Sequence, residues 1–573
     1  MMNNLKLLSI VVCFLGISLF SCSSDDSKVE AELIVAKESL SFGNGAEMQK
    51  LAIKSNVDWQ MSSSESWCVL SASSGKSGTH QIEVNVTANA TNDTRQAVVT
   101  ILAGSITKAI TVTQAKTPLL IVKQSAYNVT AQGGQITVEM QVTDPHTVKI
   151  NNDWITQVSS RAVSSVSEVF TIQANAGILS RTGTITFTMN GLTETVTIVQ
   201  EAADAHIPAD QTGMSSDAKT LAAKIKLGWN LGNTLEVPFT SGGETGWGNE
   251  KTTEALIKAV KAAGFNAIRI PCAWDSYIED PSNYTIKASW LARVKEVVDY
   301  CVSNDVYAIL NIHWDGGWLE TNPTYAKQEE VNKKQAALWT QIAVQFRNYD
   351  EHLLFAGTNE VHVENVYTEP TTENNTVQQS YNQTFVDAVR ATGGKNAYRN
   401  LIVQTYNTNI GYGVKFMKMP TDNVANRMFV EVHYYDPYDF TLKEEGGLNY
   451  WGEPYKQYGA VGSWGQEADL DAAFASMKTH FVDKGYPAIL GEFGAIKRAT
   501  LTGDALTHHL ESRAYYVKQV VSTAKKYGVV PFYWDNGPSG NNAMGIFNRA
   551  TGAVSDQQIL NGLVEGSAVN YPF

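Results

Sequence analysis

The chain has 573 residues, too many for one ordinary domain, so two to four are expected. It is 43% apolar and 18% charged, the composition of a folded, soluble chain rather than a disordered or membrane-embedded one. The net charge of −13 argues against a nucleic-acid partner, since nothing offsets phosphate repulsion, whereas a neutral polymer is indifferent to it.

At the N-terminus, Lys6 precedes an apolar run from Leu7 to Phe20, too short to span a bilayer as a stable helix. Residues 1–21 therefore read as a signal peptide. The run ends Leu19-Phe20-Ser21-Cys22, which resembles a bacterial lipoprotein cleavage box, with Phe20 bulkier than the usual residue. Cys22 is then the expected lipidated residue. Ser23-Ser24-Asp25-Asp26 resembles the acidic export tag of Bacteroidota surface lipoproteins. The expected location is the outer membrane or cell surface; ordinary signal cleavage would leave the protein periplasmic or secreted. Of the five cysteines, Cys13 lies in the signal, and Cys68, Cys272 and Cys301 are odd in number with no CxxC spacing. Neither a zinc site nor a disulfide framework is expected, and Cys272 and Cys301 read as small buried hydrophobes.

Two β modules follow, over 31–116 and 117–202. Runs such as Gln81-Ile-Glu-Val-Asn-Val86 alternate apolar and polar residues between Gly, Ser, Asn and Asp, the periodicity of strands. Ala88-Asn89-Ala90 and Arg95 recur as Ala174-Asn175-Ala176 and Arg181, and Gln114 recurs as Gln200, each 86 residues on. Asp58-Trp59 and Trp67 are answered by Asp153-Trp154. Two small immunoglobulin-like sandwiches fit this repeat. The Asp-Trp element, the Arg before an alternating strand and the closing Thr-Val-Thr-Gln resemble the BACON domains of Bacteroidota surface proteins. They read as rigid spacers; glycan binding through the Trp residues is the alternative.

Residues 203–216, polar with Pro208 and Gly213, read as a linker, and Asp217 to Lys224 as a short helix. From there to residue 573, strand and helix patterns alternate, which predicts a parallel sheet. Eight apolar runs begin at Lys226, Asn266, Tyr307, Leu354, Leu401, Met428, Pro487 and Val529, and eight strand–helix units in this length predict a (β/α)8 barrel, an α/β fold. Helical spacing marks Thr253–Ala263, Trp290–Ser303, Lys333–Arg347, Val377–Ala391, Leu470–Val482 and Glu511–Tyr527, while 407–426, rich in Gly and Asn, promises little helix.

The chemistry-bearing residues fall where strands end: Asn233, Arg269, His313, Asn359 with Glu360, His433 with Tyr435, Glu492 and Trp534. In this fold that end is the catalytic face. Trp314 and Trp318 after strand three, Trp247 after strand one, and Trp451 and Trp464 after strand six are expected to line an open cleft with stacking surfaces. His313 and His433 lack the HExxH spacing or carboxylate cluster of a zinc site, so neither metal nor other cofactor is expected.

Gly228-Trp-Asn-Leu-Gly-Asn233, Arg269-Ile-Pro271, Asn311-Ile-His-Trp314, Thr358-Asn-Glu360, Val432-His-Tyr-Tyr435, Gly491-Glu-Phe-Gly494 and Tyr533-Trp534 together resemble glycoside hydrolase family 5. The first motif with Trp247-Gly-Asn-Glu-Lys-Thr-Thr253 resembles its subfamily 4 of endo-β-1,4-glucanases. The family usually has Pro after the acid glutamate; here it is Val361. The resemblance implies a retaining double displacement, with Glu360 as general acid and base and Glu492 as nucleophile. Asn359 would bind the sugar 2-hydroxyl, Arg269 and Tyr435 would hold Glu492, His313 and His433 would position the sugar or tune Glu360, and Trp534 would be the stacking floor. Trp314, Trp318 and Asn233 join the expected substrate contacts. With Arg269 beside Glu492, the raised carboxyl of the pair is expected to be Glu360. The substrate is expected to be a β-glucan (cellulose-type, mixed-linkage or xyloglucan) and the protein a monomer; an endo-β-1,4-mannanase, or a surface glycan-binding protein without turnover, are the competing readings.

Overall fold

The computed structural model describes residues 30–158, 167–175, 177, 180–366 and 368–573; the signal segment, Cys22 and the acidic tract after it lie outside these. Among the described residues no helix is long and apolar enough to cross a membrane. Cys68, Cys272 and Cys301 are buried free thiols.

The first β module is a two-sheet sandwich. One sheet orders Leu33–Val35, Glu47–Ser55, Gly78–Val86 and Cys68–Leu70; the other orders Ser39–Phe42, Ile106–Gln114, Arg95–Ala103, Trp59–Ser63 and Ser74–Gly75. Alternate residues of each strand, among them Leu51, Val84, Val99, Ile101 and Val112, meet between the sheets. The second module repeats the plan, with Leu120–Val122, Gly134–Val142, Ser167–Ile172 and Ile155–Gln157 in one sheet and Ala126–Val129, Leu192–Gln200, Arg181–Met189 and Thr147–Ile150 in the other.

The 86-residue repeat has a structural cause. In the first module Arg95 Nε donates to Gln114 Oε1 at 2.9 Å, and Gln114 Nε2 to Thr87 O at 2.9 Å. In the second, Arg181 Nε donates to Gln200 Oε1 at 2.8 Å, and Gln200 Nε2 to Gln173 O at 2.9 Å. Asn89 and Asn175 each donate to the carbonyl that follows that glutamine. Each arginine lies over a tryptophan, Arg95 on Trp67 and Arg181 on Trp154. The recurring polar residues thus satisfy buried backbone groups at one corner of each sandwich. Trp59 and Trp154 are core residues, 2% and 1% exposed, so neither offers a face to a sugar.

The barrel closes in sequence order. Its strands are β1 (Gly228–Leu231), β2 (Ala267–Ile270), β3 (Tyr307–Asn311), β4 (Leu353–Ala356), β5 (Leu401–Gln404), β6 (Met428–Tyr434), β7 (Ala488–Phe493) and β8 (Val529–Asp535), with β8 pairing back to β1. The helices around it are α1 (Glu254–Ala262), α2 (Ala288–Val302), α3 (Tyr325–Phe346), α4 (Thr372–Ala391), α5 (Ile410–Phe416), α6 (Glu467–His480), α7 (Gly503–Lys526) and α8 (Gln557–Gly566), with further short helices at Ala218–Lys224 and Tyr438–Thr441. The strands are buried on both faces, which is why they read as continuous apolar runs. Inside the barrel, Ile309, Leu354, Ile402, Phe429, Ile489 and Phe532 pack together, and Leu221 from the helix at Ala218–Lys224 and Ile225 just after it join that cluster. With the interior filled by apolar side chains, polar ones emerge at the strands' carboxyl ends.

Two expectations are corrected. The linker over 203–216 is not free: Ile207–Ala209 forms a strand against Gly393–Gly394, and Arg427 donates to the carbonyls of Met214 and Ser216. Helices α3 and α7 begin eight residues before their apolar stripes, because their first turns are largely solvent-facing and carry no stripe to read. The segment after β5 holds little helix, the two turns of α5, and α8 follows the last strand.

Candidate active site

The site is assembled at the junction of β6 and β7. Val432 pairs with Leu490, but His433 pairs with Glu492, so Gly491 is an extra residue that breaks the register. Such bulges re-aim side chains beside functional sites. Here the shift sets His433 and Glu492 side by side. Only glycine fits at 491: a Cβ there would lie 2.0 Å from Glu431 Oε1. Glu431, fully buried two residues before His433, therefore shares its inward face.

Arg269, at the end of β2 and fully buried, is the hub. Its Nη1 donates to Glu492 Oε1 at 2.8 Å and to Asn230 Oδ1 at 3.0 Å; its Nη2 donates to Asn359 Oδ1 at 2.8 Å; its Nε pairs with Glu431 at 3.0 Å. Tyr435 donates its hydroxyl to Glu492 Oε2 at 3.1 Å. Glu492 is thus held at both oxygens.

Glu360, after β4, has the left-handed backbone angle φ +42° and a side chain one-third exposed. Its Oε1 lies 2.6 Å from His433 Nδ1, while His433 Nε2 faces Glu431 Oε1 at 3.3 Å. One oxygen or nitrogen from each of Glu360, His433 and Glu492 lies within 4.8 Å of the others. These three are the one group among the described residues with the spacing to hold a metal ion, but the Arg269 cation on Glu492 opposes a second positive charge there.

The electrostatics reverse one expectation. Burial works against a charge on His433, but Glu492, Glu360 and Glu431 around it push it up to about 9. Burial would raise Glu360, yet the His433 hydrogen bond and charge, with Arg269, pull it below the usual carboxylate range. Glu492 is raised by burial and by the Glu360 charge, which outweigh His433 and Arg269. In the free protein the proton expected on Glu360 is therefore held by His433, across the 2.6 Å bond. Burial, then the Arg269 and His433 charges, hold His313 well below the ordinary histidine value, so it is neutral.

Around this centre, His313 stacks on Trp534 with ring centroids 5.7 Å apart and planes 8° apart. Trp314 and Trp247 are both 42% exposed, with centroids 5.9 Å apart. A turn with φ positive at Trp314, Asp315, Gly316 and Gly317 presents Trp314, and Asp315 holds that turn by accepting from the Trp274 and Asp275 amides. Asn233, at φ +54°, turns the chain beside Trp534 and is half-buried. Two tryptophans do not serve as the open faces expected of them. Trp451 is fully buried, its indole donating to Gly465 O at 2.6 Å. Trp318 is half-buried beneath Lys334, with its indole turned to Asp315. Trp464 is 52% exposed. A polar cavity of about 510 Å³ opens beside Glu360, lined by Asn407, Asn409, Asp436, Asp469 and Ser476.

Three participants escaped sequence reasoning: Asn230, Glu431 and Glu320. Alternation backwards from His433 points to Glu431. Asn230 stands inside the first motif. Glu320 follows Trp318-Leu319 in an irregular loop and has no local signal.

A cation hub, a doubly held carboxylate and a second carboxyl within 4.8 Å suit acid–base and nucleophilic work on one bond. The model of Cellulase (glycosyl hydrolase family 5) matches residues 233–540, more than half of the chain. The chain belongs to glycosyl hydrolase family 5. Upstream, the Viral BACON domain model matches 32–117 and the BACON model matches 141–201. The family-5 chain is 36% identical to the xyloglucan-specific endo-β-1,4-glucanase of Bacteroides ovatus over 98% of this chain and 97% of that one. The solved structure of a Bacteroides ovatus family-5 xyloglucanase in complex with an XXXG heptasaccharide is 34% identical, covers 94% of this chain and all of that one, and superposes with a TM-score of 0.61. A GH5-4 broad-specificity endoglucanase from Ruminococcus champanellensis with bound cellotriose is 35% identical over 61% of this chain and 98% of that one, with a TM-score of 0.54. Within the family-5 frame, Val361 in place of the usual Pro is fully buried, packed in one cluster with Leu319 and Tyr381, and its carbonyl accepts from Asn407 N at 2.9 Å.

Proposed function

We propose that the protein is a surface-displayed, retaining endo-β-1,4-glucanase that cuts xyloglucan and related β-glucans. The observation that carries this reading is the close approach of Glu360 and Glu492, one carboxyl oxygen of each lying within 4.8 Å of the other across the carboxyl end of the barrel. Retaining enzymes hold their carboxyls about 5–5.5 Å apart, whereas inverting enzymes leave about 6.5–9.5 Å for a water molecule. Glu492 attacks the anomeric carbon. Arg269 on one oxygen and Tyr435 on the other fix its carboxylate in one orientation. Glu360 protonates the leaving oxygen and then activates water. Substrate strips water from its exposed third, which disfavours the carboxylate and moves the shared proton from His433 onto Glu360. Asn359 meets the 2-hydroxyl, and the His313–Trp534 stack floors the sugar that is attacked. Trp314 and Trp247 extend that apolar side, while the polar cavity at Glu360 receives the leaving sugars.

The xyloglucan preference rests on the Bacteroides ovatus relatives, which resemble this chain over nearly its whole length. A reducing-sugar assay on xyloglucan, mixed-linkage glucan, carboxymethylcellulose and mannan tests it, with the anomeric configuration of the first product read by NMR. Release of the β-anomer from a β-glucan is expected; α-anomer, or turnover on mannan alone, would overturn the reading.

The two sandwiches serve as spacers in this proposal, since their core tryptophans present no open face, and the protein works as a monomer. Cys22 carries the lipid that anchors it to the outer membrane. One acyl chain binds only marginally, whereas two or three hold a protein stably. Mass spectrometry should find an acylated Cys22 as the mature N-terminus, and Cys22→Ala should release the protein from membranes.

A further inference from the structure

Glu320 is a buried carboxyl that the double displacement leaves without a part. Its residue is 7% exposed, and its Oε2 lies 3.5 Å from Asn359 Nδ2, a long hydrogen bond. The loop that carries it is tied to the strand end that bears Glu360. Leu319 packs with Val361, and the Glu320 carbonyl accepts from His362 N at 2.8 Å. Burial and the Glu360 charge push the Glu320 carboxyl well above the usual range, so it adds no third negative charge beside the reacting pair.

We propose that Glu320 is a positioning residue that sets the plane of the Asn359 amide. The amide has one acceptor oxygen and two N–H donors. Arg269 Nη2 claims the oxygen at 2.8 Å, which fixes which end points where but leaves the terminal torsion free to rock, since that torsion is broad in asparagine. Glu320 Oε2 takes one of the two N–H groups and stops the rocking. The remaining N–H is then aimed at the sugar 2-hydroxyl, a contact that strengthens in the transition state. A displacement of about 1 Å in such a group costs up to about 10²-fold in rate.

This inference rests on the proposed roles of Glu360, Glu492 and Asn359, and its test separates the two. Wild type, Glu320→Gln, Glu320→Met, Asn359→Ala and the Glu320→Met/Asn359→Ala double variant are assayed on an aryl β-cellobioside and on its analogue lacking the 2-hydroxyl of the sugar attacked. Glu320→Met should lower kcat about 10- to 10²-fold with KM little changed, and should erase the same factor of preference for the 2-hydroxyl. Glu320→Gln should keep both, because its amide oxygen accepts as the carboxyl does. In the Asn359→Ala background Glu320→Met should add nothing. Should the methionine variant fail to fold, Glu320→Asp, which keeps polarity but withdraws the acceptor by one methylene, should show the same loss. Retained 2-hydroxyl preference in the variants without the acceptor, a loss in Glu320→Gln as large as in Glu320→Met, or multiplying losses in the double variant would overturn the proposal. A wild type that attacks neither substrate would instead strike the reading on which it rests.

Discussion

His433 Nδ1 and Glu360 Oε1 lie 2.6 Å apart, and the imidazole is braced from behind by the buried Glu431. The acid of this site is therefore a pair, and the alkaline limit on activity is set by loss of the proton the pair shares. His433 is pushed up to about 9, so kcat/KM should fall on the alkaline side near that value. On the acid side, activity should fall as Glu492 takes up a proton, and because burial raises that carboxyl this limb should lie above the ordinary glutamate value of about 4.3. The two values belong to coupled groups and are read as limbs of one profile. His433→Asn removes the cation and leaves Glu360 to titrate alone, which should move the alkaline limb to lower pH. An unshifted limb in that variant would show that His433 does not hold the acid proton.

Much of this was legible in the sequence because strand ends are. Arg269, Glu360, His433, Tyr435 and Glu492 each close an apolar run, and a parallel barrel brings such ends to one face. What stayed hidden was distance. The bulge at Gly491, which sets His433 against Glu492, depends on pairing between strands; the glycine inside the run marks a break in the strand but does not say which partner residue it shifts. The proton's place follows from it, so the expected order of the two carboxyls came out reversed. The tryptophans were ambiguous for a related reason. Trp314 and Trp451 stand in loops of similar composition, and only packing makes one 42% exposed and the other fully buried.

The division of labour between the glutamates has a direct test. Glu492→Ala should lose nearly all hydrolysis while folding normally, and added azide should restore turnover, giving a glycosyl azide of inverted configuration. Glu360→Gln should lose about 10²–10⁴-fold on natural glucan but still be glycosylated by aryl glycosides with good leaving groups, which need little proton assistance. Inverted azide product from a Glu360→Ala variant would mean the two roles are exchanged.

The contrast between exposed and buried indoles makes a second pair of variants informative. Trp314→Ala removes an open face, so it should raise KM on polymers about tenfold, the loss of one contact of about 1.4 kcal/mol, with thermal stability unchanged. Trp451→Ala empties a packed position and strands Gly465 O, and should cost about 3–5 kcal/mol. Calorimetry with KM measurements separates the two; a Trp314→Ala protein that melts early but binds normally would make that indole a packing residue.

The segment read from sequence as a linker should instead behave as part of the barrel, and Glu351 shows how. Its carboxylate accepts from Ser216 N and Ser216 Oγ, each at 2.8 Å, and pairs with Lys224 at 2.7 Å, with its side chain 10% exposed. Burial alone would raise it, but the Lys224 and Ser216 bonds overcome that and hold it at about 2. A folded value depressed below the unfolded value of about 4.3 means stability that is fully present above pH 4.3 and is lost as pH falls through about 2. At about 1.4 kcal/mol per unit, the contribution at pH 7 is on the order of 3 kcal/mol. Glu351→Gln should therefore lower the denaturant midpoint of the barrel transition at pH 7, and its gap to wild type should shrink steadily between pH 5 and pH 3. A gap that is the same at both pH values would show that the charge on Glu351 contributes nothing.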